Sequence, residues 1–455
     1  MTLKVEHTGQ LVDDLASNCK PAGECLIGVE HEKFVFTREG QHPLPYAGDI
    51  GIHALLTELQ QAGWKPTHDR DRLVGLSADK AAITLEPAGQ LELSGAPWSD
   101  LHDVCREMQE HRRQLGAISQ SLGVDFLALG FSPTWTLSEL DWMPHSRYHI
   151  MRRYMPGVGV HGRDMMTRTS SFQLNFDFCS EQDMCDKYRV AMALQPLVMV
   201  ALANAPFAEG RDTGLTSYRN YVWLHTDSAR CGIMPEVFSR DFGFDAYVNR
   251  ALATPMYSVK RKGAHQDLAG RYFTDMLKAQ LPELPGEQPT LSDWDDHLNT
   301  LMHDVRLKDH LELRGSDTLD LEQSMALAAF WTGILYDSHA LQGALKLIEA
   351  CDPARLNQLR HSVPWMGLSE MESVGASGVF QARSLLDALE QAVALAESGL
   401  EKRRRQDAEH ADERRYLEPL KRVMEARMSP AEQWRKRFRE ESPQDLSFLY
   451  EEALF

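Results

Sequence analysis

The chain predicts an α+β fold: a mostly antiparallel sheet with helices around it, followed by a helical C-terminal section. Three observations predict it. Up to Ser316, segments whose apolar residues alternate with period two are interspersed with segments of helical period. Beyond Ser316 only helical patterns follow. No internal repeat or low-complexity linker divides the 455 residues, so residues 1–375 are read as one body with residues 376–455 packed on it as a helical section.

Composition narrows the partners. The net charge is −18, from 66 acidic against 48 basic residues, which disfavours nucleic acid and acidic membrane surfaces. The N-terminal MTLKVEHTGQ has no apolar core of a signal peptide, and no apolar run of about 18 residues occurs, so a cytoplasmic protein is expected. Seven scattered cysteines without C-x-x-C spacing signal neither a zinc site nor a disulfide scaffold.

Cys25–Phe36 reads as a strand with Glu30 and Glu32 on one face. Residues 49–62 are helical, and AAITLEPAGQLELSGAP turns at Pro87–Gly89, with Glu86 and Glu92 on its polar side. Residues 99–122 form an amphipathic helix, and Val124–Phe131 a buried strand. Ser146–Pro156 carries Arg147, Arg152, Arg153 and Tyr154 on a helix. Thr167–Phe178 shows the clearest alternation after Val305–Arg314, with Gln173 and Asn175 among the hydrogen-bonding residues of one face and Phe172, Leu174, Phe176 and Phe178 on the other. A helix spans residues 181–205, and Arg219 stands four residues before Trp223, an arginine beside an aromatic wall. Helices are expected over residues 244–253, 266–280 and 292–302.

The opening of the chemistry is Val305–Arg314, read as one strand. Arg306, Lys308, His310, Glu312 and Arg314 share a face, and only Asp309 breaks the apolar one. A solvated face of paired charges has the same pattern, as does a site for a polyanion and a metal. Helices follow over residues 320–350, 353–361, 378–400, 407–427 and 430–440, the last with a capping box at Ser429 and Glu432; EKRRRQ near residue 402 reads as a solvated face.

Five glutamates, Glu30, Glu32, Glu86, Glu92 and Glu312, thus stand on polar strand faces, with Arg306, Lys308 and Arg314 as cations. Hard oxygen donors beside fixed cations suit Mg²⁺ and a nucleoside triphosphate better than zinc. No P-loop or kinase glycine-rich loop is present, so an open antiparallel sheet would hold the nucleotide.

The stretches IGVEHEKF, TLEPAGQLELSGAP, RYHIMRRYMPGVG, DMMTRTSSFQLNFDF, SYRNYVWLHTD and VRLKDHLELRGSD resemble glutamate–cysteine ligases of the plant and proteobacterial type. The resemblance implies a curved antiparallel sheet forming a funnel with outer helices, in the glutamine synthetase and guanidino kinase group. It implies that ATP phosphorylates the γ-carboxylate of L-glutamate and that the amine of L-cysteine then attacks, in the first step of glutathione synthesis. By resemblance the five glutamates are Mg²⁺ ligands or their neighbours, and Gln173 and Asn175 face the nucleotide. Arg219 grips the glutamate α-carboxylate beside Trp223, and Arg314, with Glu312, steadies the transferred phosphoryl. Arg306 and Lys308 meet nucleotide phosphates, and Arg152 and Tyr154 border the cysteine pocket. The expected partners are glutamate, cysteine and ATP, with no nucleic acid or membrane, in a monomer or homodimer. A glutamate ligase for another amine and a guanidino phosphotransferase of the same fold are the rivals. Plant members carry a regulatory cysteine pair around the segment that here reads HQDLAGRYFTDMLKAQLPELPG. This chain has no cysteine between Cys231 and Cys351, which excludes control through that pair.

Overall fold

A computed structural model describes residues 3–403, 412–441 and 445–455. At its centre is a nine-stranded sheet in which every pairing is antiparallel. The strands are β1 (Ile27–Thr37), β2 (Lys65–Asp69), β3 (Arg72–Ser77), β4 (Ala82–Leu85), β5 (Leu91–Ser94), β6 (Val124–Leu127), β7 (Phe172–Phe176), β8 (Val305–Leu307) and β9 (Leu311–Leu313). Their order is β8-β9-β7-β1-β5-β4-β3-β2, and β6 pairs with the second half of β1. Strand β1 is long enough to serve both groups: Glu30–Lys33 pair with β5, Ile27–His31 with β7, and Phe34–Thr37 with β6.

Alternation decides which face is packed. Ile27 and Val29 of β1 and Phe172, Leu174 and Phe176 of β7 enter one hydrophobic cluster with helices α1 (Glu181–Ala201), α2 (Leu321–Leu335) and α3 (Leu385–Lys402). Each such side chain contributes about 1.5–3 kcal/mol by leaving water. Helix α2 is apolar all round because it lies between neighbours on several sides, and each residue from Ser324 to Leu335 is buried. Its Gly333 meets the backbone of Ala396 on α3 so closely that a Cβ would overlap it. Residues on both sides of position 375 therefore share one core.

Several sequence expectations shift. The ten-residue strand Val305–Arg314 is a hairpin, with Lys308–His310 as its turn and Val305, Arg306 and Leu307 opposite Leu313, Glu312 and Leu311. Facing residues share a side of the sheet, so the alternation passes through the turn unbroken and imitates a single strand. Asp309, the one polar residue on the apolar side, sits at the tip. The expected strand from Thr167 begins only at Phe172, because residues 162–168 are helical and the hydroxyls of Thr167 and Thr169 bond back to Arg163 and Met165 carbonyls.

Residues 258–267, partly assigned to a helix, form a hairpin of Ser258–Arg261 with Ala264–Asp267. Its turn residues Lys262 and Gly263 have φ of 50° and 78°, the geometry that a two-residue hairpin turn demands. The helix over 320–350 breaks where Asp337 caps a second helix through His339 N and Ala340 N. The capping box at Ser429 and Glu432 forms as expected. Residues 404–406 of EKRRRQ and residues 407–411 lie outside the described residues. No helix among the described residues is long and apolar enough to cross a membrane.

Candidate active site

The polar face of the sheet opens onto a cavity of about 400 Å³ with an acidic and a basic wall. The acidic wall comes from β1, β5 and the turn before β5. Glu32 lies directly opposite Glu92, and Glu30 opposite Ser94 on one side and Gln173 on the other. Glu86 stands at the β4–β5 turn, which its backbone closes with Gln90 and Gly89. All four glutamates line the cavity, as do Thr84, Ser171 and Gln173.

Among the described residues none of these four carboxylates is in an ion pair, and the cations that act on them do so from further away. Glu32 accepts from Ser171 N at 2.6 Å, Ser171 Oγ at 2.8 Å and Gln173 Nε2 at 3.1 Å. Burial and the nearby Glu86 still push its carboxyl up to about 7, against the pull of Arg219 and Arg314. Glu92, which accepts from the Thr84 hydroxyl, is pushed well above the usual range by burial and by repulsion from Glu30, Glu86 and Glu32. Burial also raises Glu86, with Arg147 and Arg314 opposing. Asn175 donates to Glu30 at 2.9 Å and does not itself line the cavity.

The basic wall is the β8–β9 hairpin with Arg219 and Arg147. Arg306, Lys308, Arg314 and Arg219 all line the cavity. Glu312 is fully buried here. Arg306 grips it through two bonds of 2.8 and 2.7 Å, Lys308 stands 3.5 Å away, and Arg314 pairs with it from the other side. Burial pushes the Glu312 carboxyl up, but the three cations more than offset this and hold it well below the usual range. Its expected place as a metal ligand is therefore corrected: its oxygens are committed to cations of the protein. Arg306 is similarly spent, its remaining donors going to the carbonyls of Asn299 and Leu301. Arg314 also donates to Gln173 Oε1 at 2.6 Å.

Arg219 is held from behind on a short helix, Tyr218–Leu224, capped by Ser217. Its two terminal nitrogens donate to Gly315 O and Arg314 O, each at 2.9 Å, with Asp317 at 3.8 Å and the Trp223 ring centroid 5.9 Å from the guanidinium.

Two residues expected to border the cysteine pocket lie outside this cavity. Arg152 lies over the Trp142 ring, 4.6 Å from its centroid, and Tyr154 packs edge-on against Tyr257; neither lines the cavity. Arg147, Tyr148 and Met151 of the same helix do line it. Residues overlooked by sequence reasoning are Ser258, His265, Asp296, Asn299 and Thr300. The Lys262-Gly263 turn pair was a usable signal for the first two; for the others no local pattern pointed to a site.

The donor set fits a hard divalent cation in chemistry: several carboxylate oxygens repel one another in one cavity, and a cation would relieve them. Among the described residues no group of three or more His, Cys, Asp or Glu is already arranged to hold a metal ion. The expected set of five thus reduces to Glu30, Glu32, Glu86 and Glu92, and these are not gathered into a finished shell.

Relatives agree with this picture. The chloroplastic glutamate–cysteine ligase of Arabidopsis thaliana is 40% identical over 445 residues, covering 98% of this chain and 82% of that protein. Glutamate–cysteine ligase B of Oryza sativa subsp. japonica, also chloroplastic, is 38% identical over 442 residues, covering 97% and 86%. Among solved structures, glutamate–cysteine ligase of Francisella tularensis in complex with AMP superposes with a TM-score of 0.53 at 13% identity, covering 94% of this chain and 87% of that one. A bifunctional glutathione synthetase of Pasteurella multocida gives 0.50 at 11% identity, covering 97% and 53%. At these identities the two structures show the fold alone, the expected α+β antiparallel sheet with outer helices. The cytoplasmic placement expected from the N-terminal residues is corrected by the plant relatives, which are named chloroplastic. Residues 26–452 match the family described as glutamate–cysteine ligase family 2, and the chain belongs to that family.

Proposed function

We propose that this chain joins the γ-carboxylate of L-glutamate to the amine of L-cysteine with ATP, through γ-glutamyl phosphate. The carrying observation is the cavity with one acidic and one basic wall in a chain of this family. A carboxylate resists attack by an amine until one oxygen becomes a good leaving group. In the first step a γ-carboxylate oxygen bonds the terminal phosphorus of ATP and ADP departs. In the second the cysteine nitrogen bonds the acyl carbon, phosphate departs and the amine gives up a proton. Both steps bring anions together, so the site's work is positioning and charge neutralisation.

The acidic wall is where Mg²⁺ fits, held by Glu30, Glu32, Glu86 and Glu92; bound there it would neutralise phosphate charge. Across the cavity Arg314 and Lys308 face the phosphates, with Gln173 between the walls. Arg219, beside Trp223, meets the α-carboxylate of glutamate. The Glu312 cage fixes Arg314 rather than taking part in metal binding. Residues 1–375 form the catalytic body, with residues 376–455 buttressing it through the shared core.

The test is formation of γ-glutamylcysteine and ADP with glutamate, ATP and Mg²⁺ across a panel of amines. Cysteine should rank first. A better amine would replace the substrate assignment, and a phosphorylated guanidine without a peptide bond would replace the reaction.

A further inference from the structure

Behind the cavity wall lies a second, much smaller cell of about 10 Å³, lined by Arg219, Asn220, Trp223, Asp304, Arg314 and Arg360, with Met302, His303 and Gly315 completing it. Five of the lining residues have a buried polar atom without a hydrogen-bond partner among the described residues: Arg219 Nε, Trp223 Nε1, Arg360 Nη1, Asn220 Oδ1 and His303 Nδ1. Arg219, Asn220 and Arg360 are 4%, 1% and 1% exposed. Leaving such groups unpaired costs about 1–3 kcal/mol each, so five around one cell call for an occupant. The cell has the size that holds one water, for which roughly 10–15 Å³ suffices. A water accepts two bonds and donates two, so one molecule can take the Arg219 Nε and Arg360 Nη1 donors and give its own protons to acceptors such as Asn220 Oδ1, which no apolar filling can do.

We infer that a single buried water fills this cell and that Arg360, which does not line the main cavity, is a positioning residue for Arg219 acting through it. The inference rests on the ligase reading, in which Arg219 meets the glutamate α-carboxylate. Arg360 is well placed for the task because it is itself fixed. Its Nε and Nη2 pair with Asp304, the second at 3.2 Å, while the Asp304 carbonyl accepts Arg314 N at 2.9 Å. The Arg314 carbonyl in turn accepts from Arg219 at 2.9 Å. Arg219 is thus braced twice: its terminal nitrogens by backbone carbonyls, and its Nε by the water. Without the water, Nε loses its partner and the guanidinium is free to tilt about the two carbonyl contacts.

The test uses the full-length enzyme. Arg360→Lys keeps a cation for Asp304 but not the fork that reaches the cell as well. Arg360→Lys is expected to raise the glutamate KM about tenfold, the loss of roughly one net hydrogen bond, with kcat, the ATP KM and Tm near the parental values. A glutamate KM unchanged in a folded Arg360→Lys variant overturns the inference, and so does a fall confined to kcat. A crystal structure of the parent should show a water peak within about 2.7–3.2 Å of Arg219 Nε and Arg360 Nη1. Should the variant not fold, that density decides, and a dry cell or direct pairing among these atoms overturns the inference. Failure of the parent to form γ-glutamylcysteine would sink the ligase reading instead, and the water peak would still be tested on its own.

Discussion

Glu92 and Glu312 are the same residue type on the same side of the same sheet, linked strand by strand through Glu32, Gln173 and Asn175. Their carboxyl groups are driven in opposite directions, Glu92 far up and Glu312 far down. Burial is common to both, so the difference lies in the neighbours. Glu312 is ion-paired with three cations from its own hairpin and its flank, whereas Glu92 has no ion pair among the described residues and faces three glutamates and a hydroxyl. A buried carboxylate that the protein itself neutralises is a structural part. One that the protein leaves uncompensated is waiting for a charge from outside.

The largest expected effect separates the two residues directly. Glu312→Gln should destabilise the fold by about 3–5 kcal/mol, because Arg306 and Lys308 lose their buried anion. Urea unfolding measures this, and parental stability would break the comparison. Glu92→Gln should leave the fold intact in metal-free buffer at pH 8, since it removes an uncompensated charge. It should nevertheless lower product formation by roughly 100-fold or more, the scale for losing one charge-stabilising group of an active site.

The pH dependence should split the same way. Glu32 has its carboxyl raised to about 7 in the fold, against an ordinary value of 4.5. Between those values the folded protein holds a proton that the unfolded chain has lost, so stability falls as pH rises through this window. Glu312 is depressed, so its contribution is present above the ordinary carboxylate range and is lost as pH falls below it. Metal-free Tm should therefore fall from pH 5 to pH 8, and Mg²⁺ should flatten that slope if the acidic wall binds it. A slope indifferent to Mg²⁺ would remove the metal from this wall.

The glutamates were legible in the sequence because strand parity is a local property: Glu30, Glu32 and Glu92 must face away from the apolar residues next to them. The Arg306–Glu312 opposition was hidden, since a hairpin with facing residues in phase has the alternation of one longer strand. The cage that disqualifies Glu312 from binding metal was hidden with it. Asp296, Asn299 and Thr300 were invisible for a different reason. They reach the cavity from the end of a helix and the loop beyond it, whose placement depends on contacts far away in sequence. The cell behind Arg219 depends on Arg360 meeting Asp304 across 56 residues, which no local pattern encodes.

The smallest effects test where the basic wall ends. Arg147 and Arg152 are five residues apart on one helix, Ser146–Tyr154, yet only the first reaches the cavity. Arg147 feels Glu86 and Glu92, while Arg152 is exposed and stacked on Trp142. Arg147→Ala should therefore lower kcat/KM by roughly tenfold, about one pKa unit of lost interaction with the acidic wall. Arg152→Ala should lose only an exposed cation–π contact, about 0.5–1 kcal/mol of stability, with kcat/KM for cysteine within about twofold of the parent. Steady-state kinetics with cysteine varied measures both. If Arg152→Ala raised the cysteine KM and Arg147→Ala did not, the helix would present its other face to the substrate, and the basic wall would have to be redrawn around Trp142.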